Sequence, residues 1–208
     1  MNTTTDLPDI PLPSTIRSRF VDGINGLRVH VLEAGFETRG RRCVLLLHGF
    51  PELAYSWRKV MPVLAAAGYH VFAPDQRGYG RTTGWDDSYD ADPDPFRILN
   101  MVRDAVGLVY ALGYRSVAAV VGHDAGAPVA SWGALIRPDV FQSVALMSSP
   151  FGGPPALPLN TVDAPQPGVR QRLDSLCELD CGPGCRHGQA QMVLQSCSGR
   201  VTRSRRGV

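Results

Sequence analysis

The sequence predicts an α/β fold in which helices flank a mostly parallel β-sheet. Between positions 43 and 147, apolar runs of strand length alternate with stretches of helical periodicity, and glycine, proline or polar turns separate them. This alternation favours parallel strands that are joined by helical crossovers. The hydrophobic fraction of 44% in 208 residues is enough for one domain with a sizeable core.

A hairpin is predicted before the alternating part. Short alternating runs at 20–22 and 27–33 flank the pair Asn25 and Gly26, which is typical of a two-residue hairpin turn. The preceding residues 1–14 are polar and proline-rich, and we predict a flexible arm there. They lack the basic start and apolar core of a secretory signal.

The remaining elements follow in the order strand, helix, strand, helix, strand, helix, strand. We predict strands at 43–47, 69–73, 116–121 and 140–147, and helices at 55–67, 96–112 and 125–136. The helix at 96–112 is the clearest, because its apolar residues fall on one stripe and Gly113 follows its end. Active sites of such sheets lie at the carboxyl ends of the strands, so functional residues are expected there.

The last quarter of the chain differs in composition from the rest. All aromatic residues lie at or before Phe151, and no acidic residue follows Asp180. We therefore predict an α/β core over residues 15–150, a separate segment at 151–180 and an irregular, low-order tail rich in cysteine and arginine at 181–208. One hypothesis is that a wrong reading frame or a retained intron joins near Asp180, which the downstream nucleotide sequence in all three frames would decide.

Two functional interpretations of the tail stay open. A metal could be held by Cys177, Cys181, Cys185, His187 and Cys197. The first three cysteines are separated by three residues, however, whereas zinc knuckles typically have two between ligands. The arginine-rich residues 200–206 could contact phosphate or could form a solvated end.

Charge and hydropathy exclude several partner classes. The formal net charge of +2 gives no general electrostatic case for nucleic acid or a membrane surface. No apolar run approaches the roughly 18 residues that span a bilayer. We expect a cytoplasmic protein with reduced thiols, and the sequence does not indicate its oligomeric state.

The most informative strand end is the segment at 122–126, which reads G-x-D-x-G between a predicted strand and a helix. Its serine counterpart is the nucleophile elbow, a sharp turn that lifts the middle side chain above the sheet. Here the middle residue is Asp124, and Gly122 and Gly126 would let strand and helix pack closely. The alternative interpretation is that Asp124 caps the following helix.

The second strand end is His48, Gly49, Phe50 and Pro51. Gly49 permits a sharp turn, and Pro51 restricts Phe50 to an extended backbone and makes a cis peptide bond possible. In the functional interpretation, the backbone N–H groups of Phe50 and Ala125 form a two-donor oxyanion hole. A plain turn is the alternative.

The third strand end is the polar, glycine-punctuated segment at 74–80. Asp75 and Arg77 could form an anion site, but a structural ion pair between them that holds the loop is favoured.

Taken together, these motifs resemble the α/β-hydrolase fold, and specifically its soluble epoxide hydrolase-like branch. The resemblance covers residues 20–150 and rests on the motifs at 48–52, 56–57, 75–80 and 122–126. It implies that Asp124 is the nucleophile, with Phe50 and Ala125 as oxyanion donors. It also implies that the site is shaped by His48, Gly49, Pro51, Gly122, His123 and Gly126, and that Trp57 contacts the substrate. No metal or organic cofactor is implied.

An aspartate nucleophile points to substitution at saturated carbon. Attack there gives an alkyl ester, which water can cleave at the carbonyl of the aspartate. Haloalkane dehalogenases usually place a tryptophan after the nucleophile, where this chain has Ala125, and fluoroacetate dehalogenases place an arginine close behind it, where residues 125–128 supply none. The implied reaction is hydrolysis of a small-molecule epoxide to a vicinal diol, with a haloalkane dehalogenase-like activity as the alternative.

The resemblance implies that residues 151–180 are the start of a lid, but the chain departs from this family in its second half. The family uses lid tyrosines, a late acid and a late histidine, but no tyrosine follows Tyr114 and only His187 follows His123. We expect His123 to point away from Asp124, and His30, His48 and His70 to be structural. The expectation is a truncated enzyme that turns over poorly. The alternative is a non-catalytic remnant or binding module, in which the last predicted strand would have an unpaired edge.

Overall fold

The sheet is mixed and has seven strands. The computed structural model describes residues 8–149, residue 151 and, for the backbone alone, residues 193–196. The strands are β1 (Ile16–Ile24), β2 (Leu27–Ala34), β3 (Cys43–Leu47), β4 (His70–Pro74), β5 (Ala119–His123), β6 (Ser143–Met147) and β7 (Val193–Ser196). The helices are α1 (Met61–Ala66), α2 (Ile98–Ala111) and α3 (Gly126–Ile136), with 3₁₀ turns at Ala54–Lys59 and Asp94–Phe96. The strand order is β1-β2-β4-β3-β5-β6-β7.

The centre of the sheet is parallel, as predicted. Strands β4, β3, β5 and β6 run parallel, whereas β1 and β2 form an antiparallel hairpin beside β4. Asn25 and Gly26 both have positive φ, at 50° and 84°, which is the backbone of the two-residue turn that their pairing predicts.

Helices cover both faces of the sheet, which confirms the layered α/β prediction. All five residues of β3 are buried. One core cluster joins the sheet to α2 and α3 through residues such as Val102, Val109 and Val129. The other cluster joins the opposite face to α1 and the preceding 3₁₀ turn through Trp57 and Met61. The site therefore stands on a scaffold that is packed from both sides.

Three predicted elements have different boundaries in the structure. The helix predicted at 55–67 is a 3₁₀ turn followed by α1, because Pro62 lies in its middle and has no N–H for a continuous helical ladder. The strand predicted at 140–147 begins only at Ser143, since Val140 and Phe141 both donate to the carbonyl of Arg137. The strand predicted at 116–121 is β5, which ends at His123 rather than at position 121.

Strand β7 was not predicted from the sequence. It pairs antiparallel with β6, so the expectation of an unpaired edge on β6 is wrong.

At the other end of the chain, the Tyr55 hydroxyl donates to the Pro11 carbonyl, and Leu12 packs on the core. The domain boundaries at 14, 150 and 180 stay predictions.

Two further expectations concern metals and membranes. The cysteine and arginine residues of the tail lie outside the described residues, and within the described part no group of three or more metal-ligating side chains occurs. No helix in that part of the chain is long and apolar enough to cross a membrane.

Candidate active site

The turn after β5 has the sharp backbone that the G-x-D-x-G pattern predicts. Asp124 has φ of 47°, in the left-handed region that few non-glycine residues adopt. Its N–H donates to the Met147 carbonyl at 3.1 Å, and its own carbonyl accepts from Ala127 at 2.9 Å. These two bonds tie the turn to β6 and to the first turn of α3.

Close backbone contacts require small residues on both sides of Asp124. A Cβ atom at Gly126 would lie 2.5 Å from the Leu47 carbonyl oxygen and 2.6 Å from that of His48. A Cβ atom at Gly122 would lie 2.4 Å from the Gly126 carbonyl oxygen. Both distances are far below van der Waals contact, so the two glycines allow α3 to approach β3 and β5.

Strands β3 and β5 bring the second predicted motif to Asp124. Leu47 pairs with Gly122, so the two strands end side by side. The Phe50 N–H donates to Asp124 Oδ1 at 3.0 Å. The Ala125 N–H lies near enough to the same carboxylate to lower its pKa. Both expected oxyanion donors therefore lie beside Asp124. The helix-capping interpretation is not supported, because α3 has Ala125 as its N-cap residue and no side-chain cap.

These two N–H groups also determine the charge of Asp124. The hydrogen bonds from Phe50 and Ala125 favour the ionised form and lower the pKa of the Asp124 carboxyl below its ordinary value. Asp124 is therefore a partly exposed carboxylate that is ionised at neutral pH. An ionised carboxylate on a rigid turn can act as a nucleophile.

His48 holds the loop that carries the Phe50 N–H. Its Nε2 accepts the Gln76 N–H at 3.0 Å, so its proton lies on Nδ1, which donates to the Gly49 carbonyl at 3.0 Å. The Gln76 side-chain amide returns a bond to the His48 carbonyl at 2.6 Å. Burial lowers the pKa of His48, which therefore stays neutral. The expectation of a structural role for His48 agrees with these contacts.

The loop after β3 approaches Asp124 closely. A Cβ atom at Gly49 would lie 2.5 Å from the Asp124 Cβ and 3.0 Å from its Oδ1, so the turn has no space for a larger residue. The peptide bond between Phe50 and Pro51 is cis, as the sequence allowed, and the Phe50 side chain is 70% exposed. It is the Phe50 backbone, rather than its ring, that contacts Asp124.

Two residues near the site, Glu52 and Trp57, have surroundings that were not predicted. His123 Nδ1 lies 3.1 Å from Glu52 Oε2, and among the described residues no hydrogen bond joins His123 to Asp124. Glu52 was not predicted as a site residue, although it is the last residue of the motif at 48–52. Trp57 lies in the core and is 7% exposed, and its expected contact with substrate stays a prediction.

The predicted ion pair between Asp75 and Arg77 is wrong. Arg77 Nε instead lies 2.8 Å from Asp104 Oδ2 on α2. Asp75 points the other way and lies 2.8 Å from His30 Nδ1 on β2. The carboxylates of Asp75 and Asp104 are both buried or nearly so. Each pairs with the basic side chain that the packing places beside it.

Comparisons with known proteins concern the fold of the chain. The family model described as "alpha/beta hydrolase fold" matches residues 42–176. Epoxide hydrolase A from Mycobacterium tuberculosis is 46% identical over 132 residues, which cover 64% of this chain and 38% of that protein. An epoxide hydrolase from Caballeronia sordidicola is 44% identical over 127 residues, which cover 61% of this chain and 36% of that protein.

Solved structures give the same picture. An epoxide hydrolase from an endophytic Streptomyces is 45% identical with a TM-score of 0.58, over 67% of this chain and 39% of that one. Potato (Solanum tuberosum) epoxide hydrolase I is 41% identical with a TM-score of 0.61, over 68% of this chain and 43% of that one. The chain thus spans less than half the length of the relatives that it matches.

Proposed function

The chain belongs to the α/β-hydrolase fold family, and from that membership we propose that Asp124 is the nucleophile of an epoxide-opening reaction. One observation supports this above all: an ionised carboxylate stands on a left-handed turn between β5 and α3, and the Phe50 and Ala125 N–H groups hold it. The relatives named epoxide hydrolase, at 44% and 46% identity, favour an epoxide as the substrate class.

The first half-reaction uses the oxygen that Phe50 does not hold. Asp124 Oδ2 attacks a ring carbon of the epoxide, the ring C–O bond breaks, and the released alkoxide takes a proton from solvent water. The product is a hydroxyalkyl ester in which Oδ1 is the carbonyl oxygen. Because the Phe50 N–H donates to Oδ1 at 3.0 Å, the carboxylate is oriented before the substrate arrives.

The second half-reaction uses the same two N–H groups differently. Water attacks the carbonyl carbon of the Asp124 ester, and negative charge develops on Oδ1, beside Phe50 and Ala125. Each such donor typically stabilises the transition state by about 3 kcal/mol. The acyl C–Oδ2 bond then breaks, which releases a vicinal diol and restores the carboxylate with one oxygen from water.

The surrounding residues have positioning roles in this proposal. His48, Gly49 and Pro51 place the Phe50 N–H, while Gly122 and Gly126 let α3 bring the Ala125 N–H to the carboxylate. His123 helps to position the loop after β3 through its contact with Glu52.

Turnover by the 208-residue chain is expected to stop at the ester. No tyrosine follows Tyr114 to protonate the alkoxide. The only histidine after His123 is His187, which does not match the family's late water-activating histidine. Loss of general acid catalysis typically slows a reaction by about 10²- to 10⁴-fold. We therefore expect slow formation of an ester that persists.

Incubation with an aryl epoxide such as styrene oxide tests this proposal. Intact-protein mass spectrometry should show one added epoxide mass per chain, and no diol should form above the buffer control. Several equivalents of diol would contradict the expected block at the ester. A folded chain without any adduct would contradict the nucleophile assignment and favour a non-catalytic binding module.

A parallel incubation with a primary bromoalkane separates the dehalogenase alternative. Because Ala125 replaces the halide-holding tryptophan that such enzymes usually have at this position, we expect no bromide release above the buffer control. Bromide release without reaction of the epoxide would favour the dehalogenase instead.

The pH dependence of ester formation follows from the pKa of Asp124. Because the two N–H donors lower this pKa, the carboxylate remains the reactive form at a pH where an ordinary aspartate, with a pKa of about 3.9, is half protonated. The initial rate of adduct formation should therefore be level from pH 7 down to about 4 and fall only below it. Quenched samples analysed by mass spectrometry give this profile, and a midpoint above about 5 would contradict the role of the two donors.

A further inference from the structure

A serine, a histidine and an aspartate form a hydrogen-bonded chain away from Asp124. Ser18 Oγ lies 2.8 Å from His30 Nε2, and His30 Nδ1 lies 2.8 Å from Asp75 Oδ2. His30 and Asp75 are 1% and 2% exposed, whereas Ser18 is exposed on β1, at the edge of the sheet. The proposed epoxide chemistry uses none of these three residues.

Asp75 fixes which nitrogen of His30 carries the proton. Its Oδ1 accepts the Ala54 N–H at 2.9 Å, and its Oδ2 accepts the Arg81 N–H at 3.0 Å in addition to the contact with His30. Burial alone would raise the pKa of Asp75, but the hydrogen bonds that it accepts outweigh burial and lower the pKa. An ionised Asp75 can only accept, so His30 Nδ1 is the donor of this contact, and in the form of His30 with a single ring proton that proton lies on Nδ1.

The remaining nitrogen of His30 is then a base for Ser18. With Nδ1–H directed at Asp75, Nε2 has a free lone pair that accepts the Ser18 hydroxyl proton across 2.8 Å. Nucleophile, base and orienting acid therefore have the mutual relation of a Ser-His-Asp triad. Such a triad is recognised by geometry, whatever the position of its members in the chain.

The backbone of β1 supplies a hydrogen-bond donor beside Ser18. His30 directs both of its backbone groups away from β1: its N–H donates to Thr82 Oγ1 at 3.0 Å, and its carbonyl accepts the Asp75 N–H at 2.9 Å. Its partner Phe20 is therefore in a non-hydrogen-bonded pair. Since direction alternates along a strand, Ser18 also presents its N–H on the outer edge of β1, next to its own hydroxyl.

An apolar surface adjoins this hydroxyl. Phe20 lies two residues along β1 from Ser18, on the same face, and its ring centroid is 5.4 Å from that of His30. Its side chain is 39% exposed. The Arg28 guanidinium lies 4.5 Å from the Phe20 ring centroid, so an aromatic group of a small ligand would contact the exposed part of this ring that Arg28 leaves open, while its carbonyl carbon approaches Ser18 Oγ.

We propose that Ser18 is a nucleophile that accepts acyl groups from small aryl esters, with His30 as its base and Asp75 as the residue that orients His30. Ser18 Oγ attacks the ester carbonyl carbon, and its proton passes to His30 Nε2. The bond between that carbon and the aryl oxygen then breaks, and the departing phenol takes the proton from His30. The product is an ester of Ser18.

Acetylation by p-nitrophenyl acetate, followed by peptide mapping, tests the proposal on the full chain. Ser14 is a matched control, because it is also an exposed serine just before β1. Ser18 should be acetylated about 10²-fold faster than Ser14, the typical contribution of a general base. Ser18→Ala should remove this rapid phase, and Ser14→Ala should keep it. Equal rates at the two serines would overturn the proposal.

Two further samples separate chemistry from folding. In His30→Gln, the acetylation rate of Ser18 should fall to that of Ser14, and an unchanged rate in a chain that still unfolds cooperatively would overturn the proposal. If His30→Gln does not fold, the urea-unfolded wild-type chain replaces it, and there both serines should react equally. Asp124→Asn should leave acetylation of Ser18 unchanged, so this test is independent of the proposed epoxide chemistry.

Discussion

Replacement of Asp124 by asparagine is expected to abolish ester formation with an aryl epoxide. The amide of asparagine has no negative charge, so it cannot form the alkyl ester on which the reaction depends. Hydrolases that lose a catalytic nucleophile commonly slow by about 10⁴- to 10⁶-fold. The rate of adduct formation, measured by intact-protein mass spectrometry, should fall below detection.

The fold should tolerate this substitution. Asparagine is nearly isosteric, its side-chain oxygen can still accept the Phe50 N–H, and it adopts positive φ more readily than most residues, as the φ of 47° at this position requires. Asp90→Asn is a matched control, because Asp90 is an exposed loop carboxylate. It should form the adduct at the wild-type rate. Adduct formation by folded Asp124→Asn at more than a tenth of that rate would contradict the proposed role.

Replacement of Gly126 by alanine is expected to have the largest effect on stability. The added Cβ would lie 2.5 Å and 2.6 Å from the carbonyl oxygens of Leu47 and His48. Neither backbone atom can rotate away, so α3 must move from β3. Overpacking of this kind costs about 1–3 kcal/mol, and each kcal/mol lowers the melting temperature of a domain of this size by about 2–4 °C.

The same movement should also slow the chemistry. The Ala125 N–H lies directly before Gly126, so displacement of α3 weakens its bond to the Asp124 carboxylate. We expect adduct formation to slow on the order of 10²-fold, as for other small misplacements of reacting groups.

Gly107→Ala is the control for Gly126→Ala. Gly107 lies within α2, and the nearest atom to its added Cβ would be Ile24 Cγ2 at 3.4 Å, an ordinary contact. Alanine in a helix interior is more stable than glycine by roughly 0.5–1 kcal/mol, so the melting temperature should rise slightly. If Gly126→Ala melts at the wild-type temperature, as Gly107→Ala nearly should, then the close approach of α3 to β3 does not limit the stability of the domain.

The sequence predicted the site best where one local rule determines the outcome. The contact between Phe50 and Asp124 joins residues 74 positions apart, yet it follows from two short motifs at the ends of parallel strands. The small residues beside Asp124 were likewise readable, because a sharp turn between a buried strand and a helix needs them.

Long-range choices between similar partners were not readable. Asp75 and Arg77 are two residues apart in the loop after β4, but Asp75 pairs with His30 on β2 and Arg77 pairs with Asp104 on α2. The contact between Ser18 and His30 likewise depends on the register of the β1–β2 hairpin. No periodicity in the sequence distinguishes such a contact from a simple surface serine.

Two other differences concern the helix around Pro62 and the packing of Trp57. Pro62 was visible in the sequence, but apolar spacing on either side of it favoured one helix over a 3₁₀ turn followed by a shorter helix. Trp57 was placed at the site by resemblance, whereas its position in the core depends on how the second helical layer packs against the sheet.

The most direct test of the central claim is to locate the adduct after incubation with an aryl epoxide. Tandem mass spectrometry of peptides from the alkylated chain should show the hydroxyalkyl group as an ester on Asp124. A chain that unfolds cooperatively but carries the group only on another residue, such as a cysteine or histidine, would contradict the assignment of Asp124 as the nucleophile.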